Sequence, residues 1–206
     1  DASIFSIIEE NLSHLASHPF QNDAYYLDVL LASGENNNAK LMAGILQAEG
    51  LNARYLSPQE LGIQVSDEPQ NARILLKSYT AIYQWRQTEE ILVIPGFFGF
   101  TENKKICTFS RGGSDITGAI VAGGIKADLY ENFTDVNGIF AAQPNFIHQP
   151  ETIKEITYRE MRELAYAGFS VFHEEALMPS FRAKVPVVTK NTNDPTFPGT
   201  KNTSNR

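Results

Sequence analysis

Apolar residues open the chain at helical spacing: Ile4, Phe5, Ile8, Leu12 and Leu15 share one face and predict an amphipathic helix that stops near His18-Pro19. A second helical run carries Tyr26, Leu27, Leu30 and Leu31 and ends at Ser33-Gly34-Glu35, which reads as a turn into a third helix, Asn36 to Glu49. Gly50 stands where a helix closes on a left-handed residue. Ala53 to Leu56 reads as a short strand, and Ser57-Pro58-Gln59-Glu60 joins a capping box to a proline at the first helical position. After an irregular polar stretch, Val65 to Arg73, Tyr79, Ile82 and Tyr83 mark another helix. The unbroken apolar run Ile91 to Ile94 suits a strand buried on both faces, as in a parallel sheet.

Pro95-Gly96-Phe97-Phe98-Gly99-Phe100 follows at that strand's carboxyl end, where open α/β sheets place ligands. Thr101 to Lys105 predicts a hairpin connection to a strand, Ile106 to Phe109, and Ser110-Arg111-Gly112-Gly113-Ser114-Asp115 then makes a bare turn into a helix, Ile116 to Ile125. Ser114 suits its N-cap and Asp115 the positive end of its dipole. Such a turn offers free N–H groups and an arginine fork to an anion, and the same residues also describe an ordinary capped βα turn. Ala127 to Phe133 gives a strand, Thr134-Asp135-Val136-Asn137-Gly138 its end loop, and Thr157-Tyr158-Arg159-Glu160 a second capping box, opening a helix that ends near Gly168. A helix from Phe172 to Lys184 around a break at Pro179 and a last strand, Val185 to Thr189, follow; from Asn191 onward the composition reads as a tail or linker. This alternation predicts a three-layer α/β/α sandwich with a largely parallel sheet and its strand-end loops along one edge.

The 206 residues, 42% of them hydrophobic, suffice for one well-filled domain. A net charge of −7 without a Lys/Arg cluster argues against nucleic acid and anionic membranes as partners. The lone Cys107 forms no internal disulfide, no apolar run approaches the ~20 residues that span a bilayer, and Asp1 opens no signal peptide, so a cytoplasmic location is expected.

Several chemistries lack their motifs. There is no P-loop, no Gly-x-Gly-x-x-Gly fingerprint and no Gly-x-Ser-x-Gly elbow. His173-Glu174-Glu175 lacks a second histidine, and His14, His18 and His148 have no spaced partners, so no side-chain metal site is expected. What remains at strand ends is Glu35, Arg111, Ser114, Asp115, Thr134 and Asp135. Arg111 could grip a carboxylate through paired hydrogen bonds while Glu35 or Asp115 accepts from an ammonium group, a set that suits an amino acid. Singly, each also reads as a cap or solvated charge, Phe97, Phe98 and Phe100 as core, and Thr134-Asp135 as an ordinary turn.

Taken in order, Ser33-Gly34-Glu35, Pro95-Gly96-Phe97-Phe98-Gly99, Phe109-Ser110-Arg111-Gly112-Gly113-Ser114-Asp115, Thr134-Asp135-Val136-Asn137-Gly138 and Lys190-Asn191-Thr192 with Pro198-Gly199-Thr200 resemble the signatures of aspartate kinases, over about Leu31 to Thr200. The resemblance implies the amino acid kinase fold and transfer of the ATP γ-phosphoryl group to the β-carboxylate of L-aspartate, opening lysine, threonine and methionine synthesis, with Mg2+ bridging the ATP phosphates. By motif, Glu35, Phe97, Arg111, Gly112, Gly113, Ser114 and Asp115 would bind aspartate. Arg111 would hold its α-carboxylate, Glu35 and Asp115 would order the ammonium and neighbouring groups, and Arg111 with Asp115 would count as catalytic. Thr134, Asp135 and Phe140 would lie against the nucleotide. The chain departs from the family in lacking the Lys-Phe-Gly-Gly-Thr/Ser-Ser segment, in having Phe140, Asn145 and Ser170 where many relatives have Tyr, Arg and Lys, and in reading His173-Glu174-Glu175 for His-Pro-Arg. The resemblance therefore implies an N-terminally truncated catalytic domain over residues 1–190, inactive alone, with 191–206 leading toward absent ACT domains and a homodimer in the intact enzyme. Two other readings stand beside it: a kinase acting on glutamate or carbamate, and a non-catalytic amino-acid-binding or assembly module.

Overall fold

The computed structural model describes residues 2–17, 23–110, 112–142, 147, 150–166 and 174–203. It divides into two compact units, Asp1–Thr117 and Gly118–Arg206.

In the first unit, α1 (Ala2–Ser17) is followed by α2 (Tyr26–Ala48), which runs without interruption through Ser33-Gly34-Glu35. The turn expected there is absent. A glycine inside a helix costs only about 1 kcal/mol relative to alanine, and the inward face of α2, with Asp28, Ala32, Ala39 and Ala43 buried, outweighs it. Ser33 Oγ donates back to the Leu30 carbonyl at 2.6 Å, a bond compatible with helical backbone. At the far end Gly50 has φ +81°, the left-handed ending the sequence predicts.

The strand β1 (Ala53–Tyr55) pairs in parallel with β2 (Ile91–Val93), with Ala53 opposite Ile91. Among the described residues β2 has no second strand beside it, and Ile91 is 45% exposed, so the run expected to be buried on both faces forms an edge strand. Between these strands lie α3 (Pro58–Leu61) and α4 (Lys77–Tyr83). Ser57 caps α3 by accepting from the Glu60 N–H at 3.1 Å, but the Glu60 carboxylate turns to Arg54 instead of completing the box. The hairpin around Thr101–Lys105 is present: β3 (Phe98–Phe100) and β4 (Ile106–Thr108) are antiparallel, which moves Phe98-Gly99-Phe100 out of the strand-end loop and into a strand.

One buried carboxylate ties this unit together. Asp28 Oδ1 accepts from the Thr108 N–H at 2.6 Å, the Thr108 hydroxyl at 2.8 Å and the Gln70 N–H at 2.9 Å, and Oδ2 accepts from the Gln70 side-chain amide at 3.2 Å. Helix, loop and strand thus converge on one side chain. The neighbouring Cys107 thiol is pushed up to about 11 by burial first, with the charge of Asp28 adding to it.

The helix α5 (Gly113–Ile125) begins in the first unit and continues into the second, where β5 (Tyr130–Thr134), β6 (Glu155–Thr157), α6 (Tyr158–Tyr166), α7 (Glu174–Ala183), β7 (Val187–Asn191) and β8 (Thr200–Thr203) follow. The sheet order is β5-β7-β8-β6, parallel in β5–β7 and β6–β8 and antiparallel in β7–β8. With β1–β2, most of the pairing is parallel. The capping box before α6 is complete: the Thr157 N–H donates to Glu160 Oε2 at 2.8 Å and the Glu160 N–H to Thr157 Oγ1 at 3.2 Å. α7 passes through Pro179 without the expected break, forgoing only the bond its missing N–H would have made.

The described part of the expected tail, residues 191–203, is also not a tail. Asn191 ends β7, and β8 sits between β7 and β6 with Thr200 and Asn202 fully buried. Polar composition suggested a solvated segment, but Thr200 Oγ1 takes up buried backbone groups, accepting from the Ile139 N–H at 2.8 Å and donating to the Ile153 carbonyl at 2.5 Å. Asn202 differs: it pairs with Val187 and Ile156, both in the hydrophobic core with Ile139, Met161 and Leu177, and neither of its amide atoms has a hydrogen-bond partner among the described residues. Asn202→Val should therefore stabilise the protein by about 1–2 kcal/mol, because it removes an uncompensated desolvation cost. A rise in the urea midpoint at unchanged slope would show this; a fall would mean that the amide earns its place.

Candidate functional site

The site is built where β4 leaves its hairpin. Phe109, 2% exposed, extends the pairing by donating its N–H to the Phe97 carbonyl at 2.8 Å. The chain then turns at Gly112, whose φ of +81° is the left-handed geometry that a side chain disfavours. The Gly112 carbonyl already accepts the first helical bond, from Ile116 at 3.1 Å, so α5 begins at Gly113 and Ser114 lies inside its first turn instead of at its N-cap. Ser114 is exposed and Asp115 half-buried, both at the electropositive end of the helix.

The segment Pro95–Phe97 lies directly against that turn. A Cβ at Gly96 would fall 3.1 Å from Ser114 Cα, and one at Gly113 would fall 2.5 Å from Phe97 Cδ2 and 3.1 Å from Phe109 Cβ. Phe97 itself has φ +79°, a backbone strain that non-glycine residues show only where their surroundings hold them. The Thr117 hydroxyl is one such hold, accepting from the Phe97 N–H at 3.0 Å and donating to the Gly113 carbonyl at 2.9 Å.

Glu35 reaches the same turn from α2: its Oε1 accepts from Ser114 Oγ at 3.3 Å. Beside it Asn36 Oδ1 accepts from the Tyr55 hydroxyl at 2.5 Å. Burial, helped by the charge of Glu60, pushes that phenol up to about 12, and burial lowers the ammonium of Lys40, which lies 5.6 Å from the Tyr55 ring centre. Of the residues expected to bind an amino acid, Glu35, Phe97, Gly112, Gly113 and Ser114 are thus brought together, with Asp115 next along the helix. Arg111 lies outside the described residues. The sequence reading held Gly96 only as part of the Pro95–Phe100 loop, without its contact to Ser114, and missed Thr117. Nothing local marks Thr117, since its second partner is 20 positions away.

The residues expected at the nucleotide fall in the second unit. Thr134 ends β5, its carbonyl accepting from the Thr192 N–H at 2.8 Å and its hydroxyl donating to Asp135 Oδ1 at 3.2 Å. Phe140 pairs with Thr152 in an isolated antiparallel bridge. Asn145, Ser170, His18, His148 and His173 lie outside the described residues. Among the described residues no group of three or more His, Cys, Asp or Glu is placed to hold a metal ion, and no helix is long and apolar enough to cross a membrane.

The first unit's turn sets helical N–H groups and the Ser114 hydroxyl, which can serve an anion, beside the carboxylates of Glu35 and Asp115, which can serve a cation. The sequence profile of the amino acid kinase family matches residues 5–191. The chain is 50% identical over 204 residues to aspartokinase 3 of Bacillus subtilis strain 168, covering 99% of this chain and 45% of that protein. It therefore spans less than half the length of this relative. Its fold matches E. coli aspartokinase III in complex with lysine and aspartate with a TM-score of 0.89, at 25% identity, over 100% of this chain and 48% of that one. The same enzyme in complex with aspartate and ADP matches with a TM-score of 0.86, at 25% identity, over 100% and 47%.

Proposed function

The chain belongs to the amino acid kinase family, and from that premise we propose that it forms part of the catalytic domain of an aspartate kinase, with the turn at Gly112–Asp115 as its amino-acid site. The observation that carries the reading is the meeting of Glu35 with Ser114 across 79 positions of sequence, at a helix start closed by Phe97. In this reading Arg111 pairs with the α-carboxylate of L-aspartate, Glu35 and Asp115 order its ammonium group, and the first turn of α5 sets its orientation. The β-carboxylate is ionised at neutral pH and needs no strong base. One of its oxygens bonds to the γ-phosphorus of ATP as the bond to the β–γ bridging oxygen breaks, giving 4-phospho-L-aspartate and ADP. Positioning and charge neutralisation carry such a transfer. The complex of the E. coli relative with aspartate and ADP supports the choice of both substrates.

Thr134, Asp135 and Phe140 would face the nucleotide, and Mg2+ would ride on the ATP phosphates, neutralising charge as the bond breaks. A homodimer, a cytoplasmic location, and a place at the head of lysine, threonine and methionine synthesis belong to the same reading. The test is an ATP-coupled assay of the full-length protein with L-aspartate, L-glutamate and carbamate in parallel. Turnover confined to L-aspartate is the expected result; turnover of another acceptor, or of none, would overturn it.

A further inference from the structure

We propose that Thr117 is a positioning residue of the amino-acid site, holding Phe97 in its left-handed backbone against the first turn of α5. The proposal rests on the aspartate-kinase reading above and adds to it a residue that touches no substrate. Thr117 is 3% exposed, so its hydroxyl must find its partners within the protein. It finds two, and they belong to different segments. Donation to the Gly113 carbonyl at 2.9 Å is the local back-bond that a helical threonine makes four residues upstream. That bond directs the hydroxyl proton toward Gly113 and leaves an oxygen lone pair for the Phe97 N–H, 3.0 Å away. The two bonds form a relay from the helix start, through one hydroxyl, to a strained residue 20 positions back.

Phe97 needs that support. At φ +79° it relaxes toward the extended or right-handed region when its contacts weaken. Its ring lies against Gly113, and its neighbour Gly96 lies against Ser114, so relaxation would move the wall of the site beside the residues that orient the substrate. Valine keeps the shape of threonine at position 117 but can neither accept nor donate; serine keeps the hydroxyl and drops the methyl. A structural role in packing would follow shape, whereas a positioning role follows the hydroxyl.

The experiment compares wild type, Thr117→Val and Thr117→Ser in the full-length protein by steady-state kinetics with L-aspartate and ATP varied separately. Amide hydrogen exchange at Phe97 is read alongside. Loss of the hydroxyl's two hydrogen bonds, of which the one to Phe97 holds the strained residue, should raise KM for L-aspartate roughly 5- to 10-fold in Thr117→Val, leave KM for ATP within about twofold of wild type, and speed exchange at Phe97. Thr117→Ser should recover most of the aspartate KM. An unchanged aspartate KM, an equal rise in both KM values, or a serine variant as impaired as valine would each overturn the proposal. If valine fails to fold, Thr117→Ala is read against Thr117→Ser by the same criteria. Wild-type protein inactive toward aspartate would instead sink the aspartate-kinase reading, and the positioning role with it.

Discussion

On the aspartate-kinase reading proposed above, Gly113→Ala is expected to remove nearly all aspartate phosphorylation from a protein that remains folded. The added methyl would sit 2.5 Å from Phe97 Cδ2 and 3.1 Å from Phe109 Cβ. Both neighbours are held at their backbones. Phe109 is buried and hydrogen-bonded to the Phe97 carbonyl, and Phe97 is held at its own N–H by Thr117. The overlap must therefore be relieved by a shift of the phenylalanine ring or of the helix start, either of which displaces the site. A misplacement of about 1 Å costs on the order of a hundredfold in rate, which sets the expected loss in kcat/KM. Overpacking costs about 1–3 kcal/mol of stability, partly offset by the higher helix propensity of alanine, worth up to about 1 kcal/mol. Kinetics beside a urea melt separate the two effects. Activity within about threefold of wild type would mean that the turn is not where substrate is oriented.

Asp28→Ala should cost the most in stability, about 3–5 kcal/mol. The substitution removes the acceptor on which four donors converged: it strands the N–H and hydroxyl of the fully buried Thr108 and leaves the N–H and side-chain amide of the exposed Gln70 to turn to water. Asp28→Asn should fall between, since its amide oxygen can still accept while its NH2 would face other donors. Cys107 supplies an independent readout. Its thiol is held high by burial and then by the charge of Asp28, so removing that charge lowers the pKa and should speed thiol labelling at mildly alkaline pH. A urea midpoint unchanged in Asp28→Ala would show that the hydrogen-bond node is dispensable.

Most elements were legible from periodicity and capping chemistry, because those signals are local. Ser57 caps α3 with half of its predicted box and Thr157 caps α6 with the whole of it, Gly50 ends α2 in the left-handed region, and the Thr101–Lys105 hairpin forms. The misreadings share one cause: local signals overruled by distant packing. Ser33-Gly34-Glu35 has turn composition, yet the buried face of α2 carries the helix across it. Residues 191–203 have the composition of a tail, but strands on both sides of β8 supply the backbone partners that make it part of the sheet. At the site, Glu35 and Ser114 were visible as residue types, whereas their contact and the Thr117 relay depend on which segments the fold lays side by side.

The continuity of α2 bears on how this stretch can vary. Asp28 and Glu35 are seven residues apart on one uninterrupted helix, two turns that bring both onto the same face, one anchored to Thr108 and Gln70 and the other facing Ser114. Each residue of a helix turns the chain by about 100°. Inserting or deleting one residue between them would swing Glu35 to another side of α2, since Asp28 fixes the phase. Leu30, Leu31 and Gly34, the exposed residues between them, can therefore change identity far more freely than the stretch can change number, whereas Ala32 is buried.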